Sequence, residues 1–112
     1  MKMQKKLYYA HSIELYWTEQ EDEDLEFLSQ EFPDYLMVNP RHFGYRKMEK
    51  YLDLVRDSQL LVYRGETDGV VMEIEKALQN DIPVYSLATH TWVNTLSGAF
   101  QSIIVDDAEE TT

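Results

Sequence analysis

The stretch LLVYRGETDGVVMEIEKALQNDIPVYSL, residues 60–87, decides the fold. Leu60-Leu61-Val62-Tyr63 is a continuous apolar run, the pattern of a parallel strand covered on both faces. A loop carrying Gly65 and Gly69 follows, and then Val70, Ile74, Ala77 and Leu78 recur three and four apart, which predicts a helix over 70–80. Pro83 closes the connection, and Val84-Tyr85-Ser86-Leu87 reads as the next strand. A strand, a helix of this length and a second strand joined by short loops form a parallel crossover unit.

The same alternation extends upstream. Met48, Tyr51, Leu52 and Val55 mark an amphipathic helix over 47–57, and Tyr35-Leu36-Met37-Val38 a strand that Asn39-Pro40 ends. Thr18 and Glu21 have the spacing of a capping box, and Leu25, Leu28 and Phe32 continue at helical spacing until Pro33, which predicts a helix over 18–32. Leu7-Tyr8-Tyr9-Ala10 is a short buried strand. Downstream, Trp92, Leu96 and Phe100 suggest a helix over 91–100, followed by an edge strand over 102–105. The fold class expected is α/β: a single doubly wound domain, Rossmann-like or flavodoxin-like, with a four- or five-stranded, mainly parallel sheet and helices on both faces.

Composition narrows the partners. The 112 residues suit one domain, with 44% hydrophobic residues and eight Tyr, two Trp and four Phe to fill its core. Ten basic against 21 acidic residues give a formal charge of −11, which disfavours a nucleic-acid polymer and leaves a small-molecule partner as the expectation. Two acidic segments stand out, 19–26 and 106–112, read as a solvated helix face and a frayed tail. Without cysteine there is no disulfide framework or thiol nucleophile, and His11, His42 and His90 do not have metal-ligand spacing, so neither a metal nor a cofactor is expected. No apolar run is long enough to span a bilayer and no signal pattern opens the chain, so the expected location is the cytoplasm.

In an open α/β sheet, ligands bind beyond the carboxyl ends of the strands, where helix starts present N–H donors. Three loops qualify: 10–18, 39–47 and 64–69. His11, Ser12, Arg41, Asp68 and Glu73 lie in or beside them. Glu73 draws attention as a carboxylate in the first helical turn, held ionised by the helix dipole. Such a group serves either as a nucleophile beside a sugar or as one of the acids that first turns favour. Tyr16 and Trp17 suit stacking on a base or capping the core, and Arg41 and His42 suit a phosphate contact or simple solvation.

Gly69-Val70-Val71-Met72-Glu73-Ile74-Glu75-Lys76-Ala77 resembles the Gly-[Thr/Val]-x-x-Glu-[Ile/Leu]-x-x-Ala motif of the nucleoside 2-deoxyribosyltransferase superfamily. Tyr8-Tyr9-Ala10-His11-Ser12-Ile13 is similar to the first-strand signature of its 2′-deoxynucleoside 5′-phosphate N-hydrolase branch. The resemblance implies that Glu73 attacks the anomeric carbon, that Tyr8 hydrogen-bonds and orients that carboxylate, and that Ser12 contacts the sugar or its 5′-phosphate. His11 stands where that branch has a glycine, and Tyr51, flanked by Glu49 and Asp53, where it has an Asp. Protonation of the leaving base then falls to Asp68 or Asp53, with Gly69 and Arg41 as further substrate contacts.

The expected function is cleavage or transfer at the N-glycosidic bond of a (deoxy)nucleoside or nucleotide, in a homodimer as the superfamily implies. The rivals are a nucleotide-binding or sensing module that has lost catalysis and an interaction domain without a ligand.

Overall fold

The computed structural model describes residues 4–43 and 47–93. Among them lie five strands, β1 (Lys5–His11), β2 (Tyr35–Val38), β3 (Leu60–Arg64), β4 (Val84–Ser86) and β5 (Thr91–Val93), and three helices, α1 (Glu19–Glu31), α2 (Met48–Arg56) and α3 (Asp68–Gln79). Short 3₁₀ turns at Ile13–Leu15 and Pro40–Phe43 follow β1 and β2. The sheet order is β2-β1-β3-β4-β5. The first three pairings are parallel and β4–β5 is antiparallel, so the sheet is mixed and the arrangement generically Rossmann-like.

Strand alternation divides the core between two faces. Tyr8, Ala10 and Leu61 turn toward α2 and α3, where they pack with Val55, Val70, Ile74 and Ala77. Leu7, Tyr9, Leu60 and Val62 turn the other way, onto Leu28 and Leu25 of α1 and Phe32 at its end. Each aliphatic side chain so removed from water contributes about 1.5–3 kcal/mol before the entropy of ordering is counted.

The helix ends follow from local chemistry. Thr18 accepts from the Glu21 N–H at 3.2 Å, capping α1. The Glu21 carboxylate, however, does not close the expected capping box; it accepts from the Trp17 N–H at 2.9 Å. At the end of α3, Asp81 takes a left-handed backbone (φ 58°). Ile82 N–H then donates to the Ala77 carbonyl at 2.9 Å and Asp81 N–H to Leu78 at 3.2 Å, the double bond of a Schellman cap.

Two expectations need correction. The helix expected to begin at 91 is a strand at its described start. His90, with φ 56°, reverses the chain, its N–H donating to the Ser86 carbonyl at 2.8 Å, and Thr91, Trp92 and Val93 lie antiparallel to β4. β-branched and aromatic residues favour this pairing, and Trp92 stacks edge-on against Tyr85 with ring centroids 5.0 Å apart. The helix after residue 69 begins earlier than its apolar stripe, because Thr67 caps it, and Glu73 therefore sits beyond the first turn. The expected edge strand over 102–105 and the tail 106–112 lie outside the described residues.

Candidate active site

The connection from β1 leads outward through α1 to β2, while that from β2 returns through α2 on the opposite face to β3. Between the carboxyl ends of β1 and β3 this opens a cavity of about 320 Å³. That volume is at the small end of small-molecule sites, about 300–1,000 Å³. Its walls come from the turn after β1 (Ser12, Ile13, Glu14, Tyr16) and from α2 (Met48, Tyr51). The start of α3 supplies Thr67, Gly69 and Glu73.

Glu73 is 5% exposed, and its Oε2 accepts from the hydroxyl of the fully buried Tyr8 at 2.6 Å. The two are 65 residues apart in sequence and meet because Tyr8 points from β1 toward α3. Burial pushes the Glu73 carboxyl up and the Tyr8 hydrogen bond pulls it back, leaving it at about 7. The carboxyl is therefore balanced between its two forms at neutral pH, not held ionised by the helix dipole as its expected first-turn position implied. Burial first, and then the Glu73 charge and hydrogen bond, drive the Tyr8 phenol far above its usual range, so Tyr8 stays a donor. Tyr16, on the cavity wall, is pushed up to about 12, chiefly by burial.

A second set of polar groups is sealed on the α1 side of β1. His11 Nδ1 faces the Tyr9 carbonyl at 2.9 Å and Nε2 faces Glu21 Oε2 at 2.8 Å. The ring is thus held at both nitrogens, the donor at each set by its tautomer. It stacks on the Tyr9 ring at 3.8 Å, and the Tyr9 hydroxyl donates to Asp24 at 2.6 Å. Arg64 Nε reaches the same carboxylate at 2.8 Å. Arg41 completes the set, pairing with Glu21 and lying 3.8 Å over the exposed Trp17 ring. Burial alone would raise the Glu21 carboxyl; the His11 and Trp17 hydrogen bonds and the Arg41 charge outweigh it and hold it below its ordinary value.

The expectation that residues 19–26 form a solvated face is thus corrected at Glu21 and Asp24, which are 0% and 3% exposed. Their cationic partners lie 20 and 40 residues away, beyond the reach of local patterning. One signal was present: Glu21, Asp24 and Leu28 occupy one helical stripe facing the sheet.

The structure brings Glu73, Ser12, Gly69 and the backbone of His11 to one cavity, with Tyr8 beneath Glu73. Ser12 Oγ accepts from the Glu14 N–H at 3.1 Å. Arg41 belongs to the Glu21 pair and does not line the cavity. Asp53 is half exposed and paired with Arg56 at 3.3 Å, and Asp68 is exposed in the first turn of α3; neither lines the cavity. Tyr16, Tyr51 and Thr67 are wall residues to which the sequence reading gave no definite role. Among the described residues, no cluster of His, Cys, Asp or Glu has the form of a metal site, and no helix is long and apolar enough to cross a membrane.

No protein-family model, curated protein or solved structure matches the chain.

Proposed function

We propose that the protein cleaves or transfers the N-glycosidic bond of a (deoxy)nucleoside or nucleotide, with Glu73 as nucleophile. The observation that carries this reading is the buried Glu73–Tyr8 pair on the wall of the cavity, with Oε2 fixed at 2.6 Å by a phenol that does not ionise. With Oε2 so held, Oε1 is the oxygen that attacks C1′. A C1′–O bond forms as the C1′–N bond breaks, and the base leaves with the electron pair and takes up a proton from solvent water, which the water that later attacks C1′ returns. Water, or a second base, then attacks C1′ and releases the carboxylate. Tyr16, protonated at neutral pH, offers a hydrogen bond to the base.

The strand order also supports a finer reading of the fold as doubly wound, since 2-1-3-4-5 is the flavodoxin-like order and the cavity lies at its β1/β3 switch point. The two motifs that resemble the nucleoside 2-deoxyribosyltransferase superfamily fall on that cavity, and membership of that superfamily is part of the proposal. A homodimer is the assembly proposed. The exposed Ile13 and Trp17, 61% and 77% accessible beside the cavity, give it an apolar rim for a second copy.

One observation favours a second reading, a binding module without turnover: neither Asp53 nor Asp68 lines the cavity to serve as an acid for the leaving base. Incubation with deoxynucleosides and their 5′-monophosphates, followed by chromatography for free base, separates the two. Free base supports the glycosidase; thermal stabilisation by these ligands without release supports the module.

A further inference from the structure

Two kinds of group that attract the same ligand meet in the cavity between β1 and β3. Carboxylates line it from two elements, Glu14 from the turn after β1 and Glu73 from α3. Phenol rings line it as well, Tyr16 from that turn and Tyr51 from α2. These groups are near enough to act on one another. Next to burial, Tyr51 and then Glu73 push the Tyr16 phenol up, and Tyr8, beneath Glu73, is raised by burial, by Glu73 and then by both rings. A carboxylate and the π-face of a phenol each attract a positive charge, and more strongly where water is excluded.

Glu73 is the centre of this set. It is 5% exposed, and its described hydrogen bond, from Tyr8, engages Oε2. Burial, against that hydrogen bond, leaves the carboxyl at about 7, so a cation placed beside it draws it fully into its charged form. Ile13 and Met48 add apolar wall for a carbon body, and the volume of about 320 Å³ suits a ligand of one ring. The formal charge of −11 raises the local concentration of cations around the chain.

We propose that the cavity binds a small organic ammonium ion, its N–H groups donating to the Glu73 and Glu14 carboxylates and its charge lying against the Tyr16 and Tyr51 rings. Such a site needs the carboxylates and the rings and no reaction at C1′, so it stands apart from the glycosidase reading. The described titratable groups around Glu73 are Tyr8 from β1, Glu14 and Tyr16 from the turn, Tyr51 from α2, and His11, whose ring is held by the Tyr9 carbonyl and Glu21. Tyr8 and Tyr16, both raised, stay neutral, and the ammonium ion competes with the proton on Glu73.

The test is calorimetric titration of the full chain with benzylammonium and with benzyl alcohol, its neutral counterpart of the same shape. At low salt benzylammonium binds about tenfold or more tighter than the alcohol. Glu73→Gln removes most of that preference, and Tyr16→Leu, which keeps both carboxylates, weakens the cation about threefold or more. In the wild type, affinity for the cation rises with pH through about 7 and levels off above it, and in Glu73→Gln that rise is lost. Circular dichroism of both variants checks that the fold is kept. Equal binding of the two probes, binding of neither, or a preference that survives Glu73→Gln overturns the proposal. None of these outcomes touches base release, which tests the glycosidase reading alone.

Discussion

Tyr8 and Glu73 show what one hydrogen bond does to a buried carboxylate. Burial drives the carboxyl toward its neutral form and the phenol draws it back, and the outcome, about 7, leaves the proposed nucleophile divided between its two forms near neutral pH. Base release should therefore rise with pH through about 7 and level off above it. Tyr8→Phe removes the opposing hydrogen bond, so the same limb should move to higher pH by about one unit. A pH profile of kcat/KM for both proteins checks this, and an unmoved limb would show that Tyr8 does not tune the carboxyl. The residue types were legible in the sequence because the motif around Glu73 and the aromatic pair on the first strand are local patterns. The protonation balance was not, because it depends on how deeply the side chain is buried.

At the level of elements, the alternation of apolar runs and helical stripes gave β1 to β4 and all three helices, since each rests on periodicity within a dozen residues. β5 was misread because Trp92 suits a helix stripe as readily as a strand, and what decides is the left-handed turn at His90. The polar contacts of α1 were hidden for a related reason: Glu21 looks like one more acid on an acidic helix until Arg41 and His11 are brought to it. Glu21→Gln leaves the Arg41 guanidinium without its carboxylate and should destabilise the protein by about 3 kcal/mol at neutral pH in urea unfolding. Gly69→Ala tests how α2 approaches α3. A Cβ there would meet the terminal methyl of Met48 at 3.2 Å, a flexible contact that can yield. Stability should rise by up to about 1 kcal/mol from the better helix former. Met48 would be pressed into the cavity wall, and nucleoside binding should weaken in a calorimetric titration.

For the whole molecule, two buried carboxylates set opposite slopes in the pH dependence of stability. Glu21, held below its ordinary value, contributes stability above about pH 4.5 that is lost as pH falls through its folded-state value. Glu73, raised from 4.5 to about 7, favours the folded state at low pH, and that contribution is lost as pH rises from about 4.5 through 7. At about 1.4 kcal/mol per pH unit, Glu73→Gln should be more stable than the wild type by up to about 3 kcal/mol at pH 8, with the difference vanishing near pH 4.5. Urea midpoints across that range measure it, and a constant difference would contradict the burial of the charge. A stability cost concentrated at one cavity carboxylate is what a functional group, and not a structural one, is expected to carry. The measurement that tests this most directly is the rate of free-base release from deoxynucleosides by the wild type and by Glu73→Gln, followed by chromatography at pH 8. Release by the wild type and a loss on the order of 10³-fold or more in the variant are expected; release at an undiminished rate by Glu73→Gln would contradict the proposed role of the carboxylate.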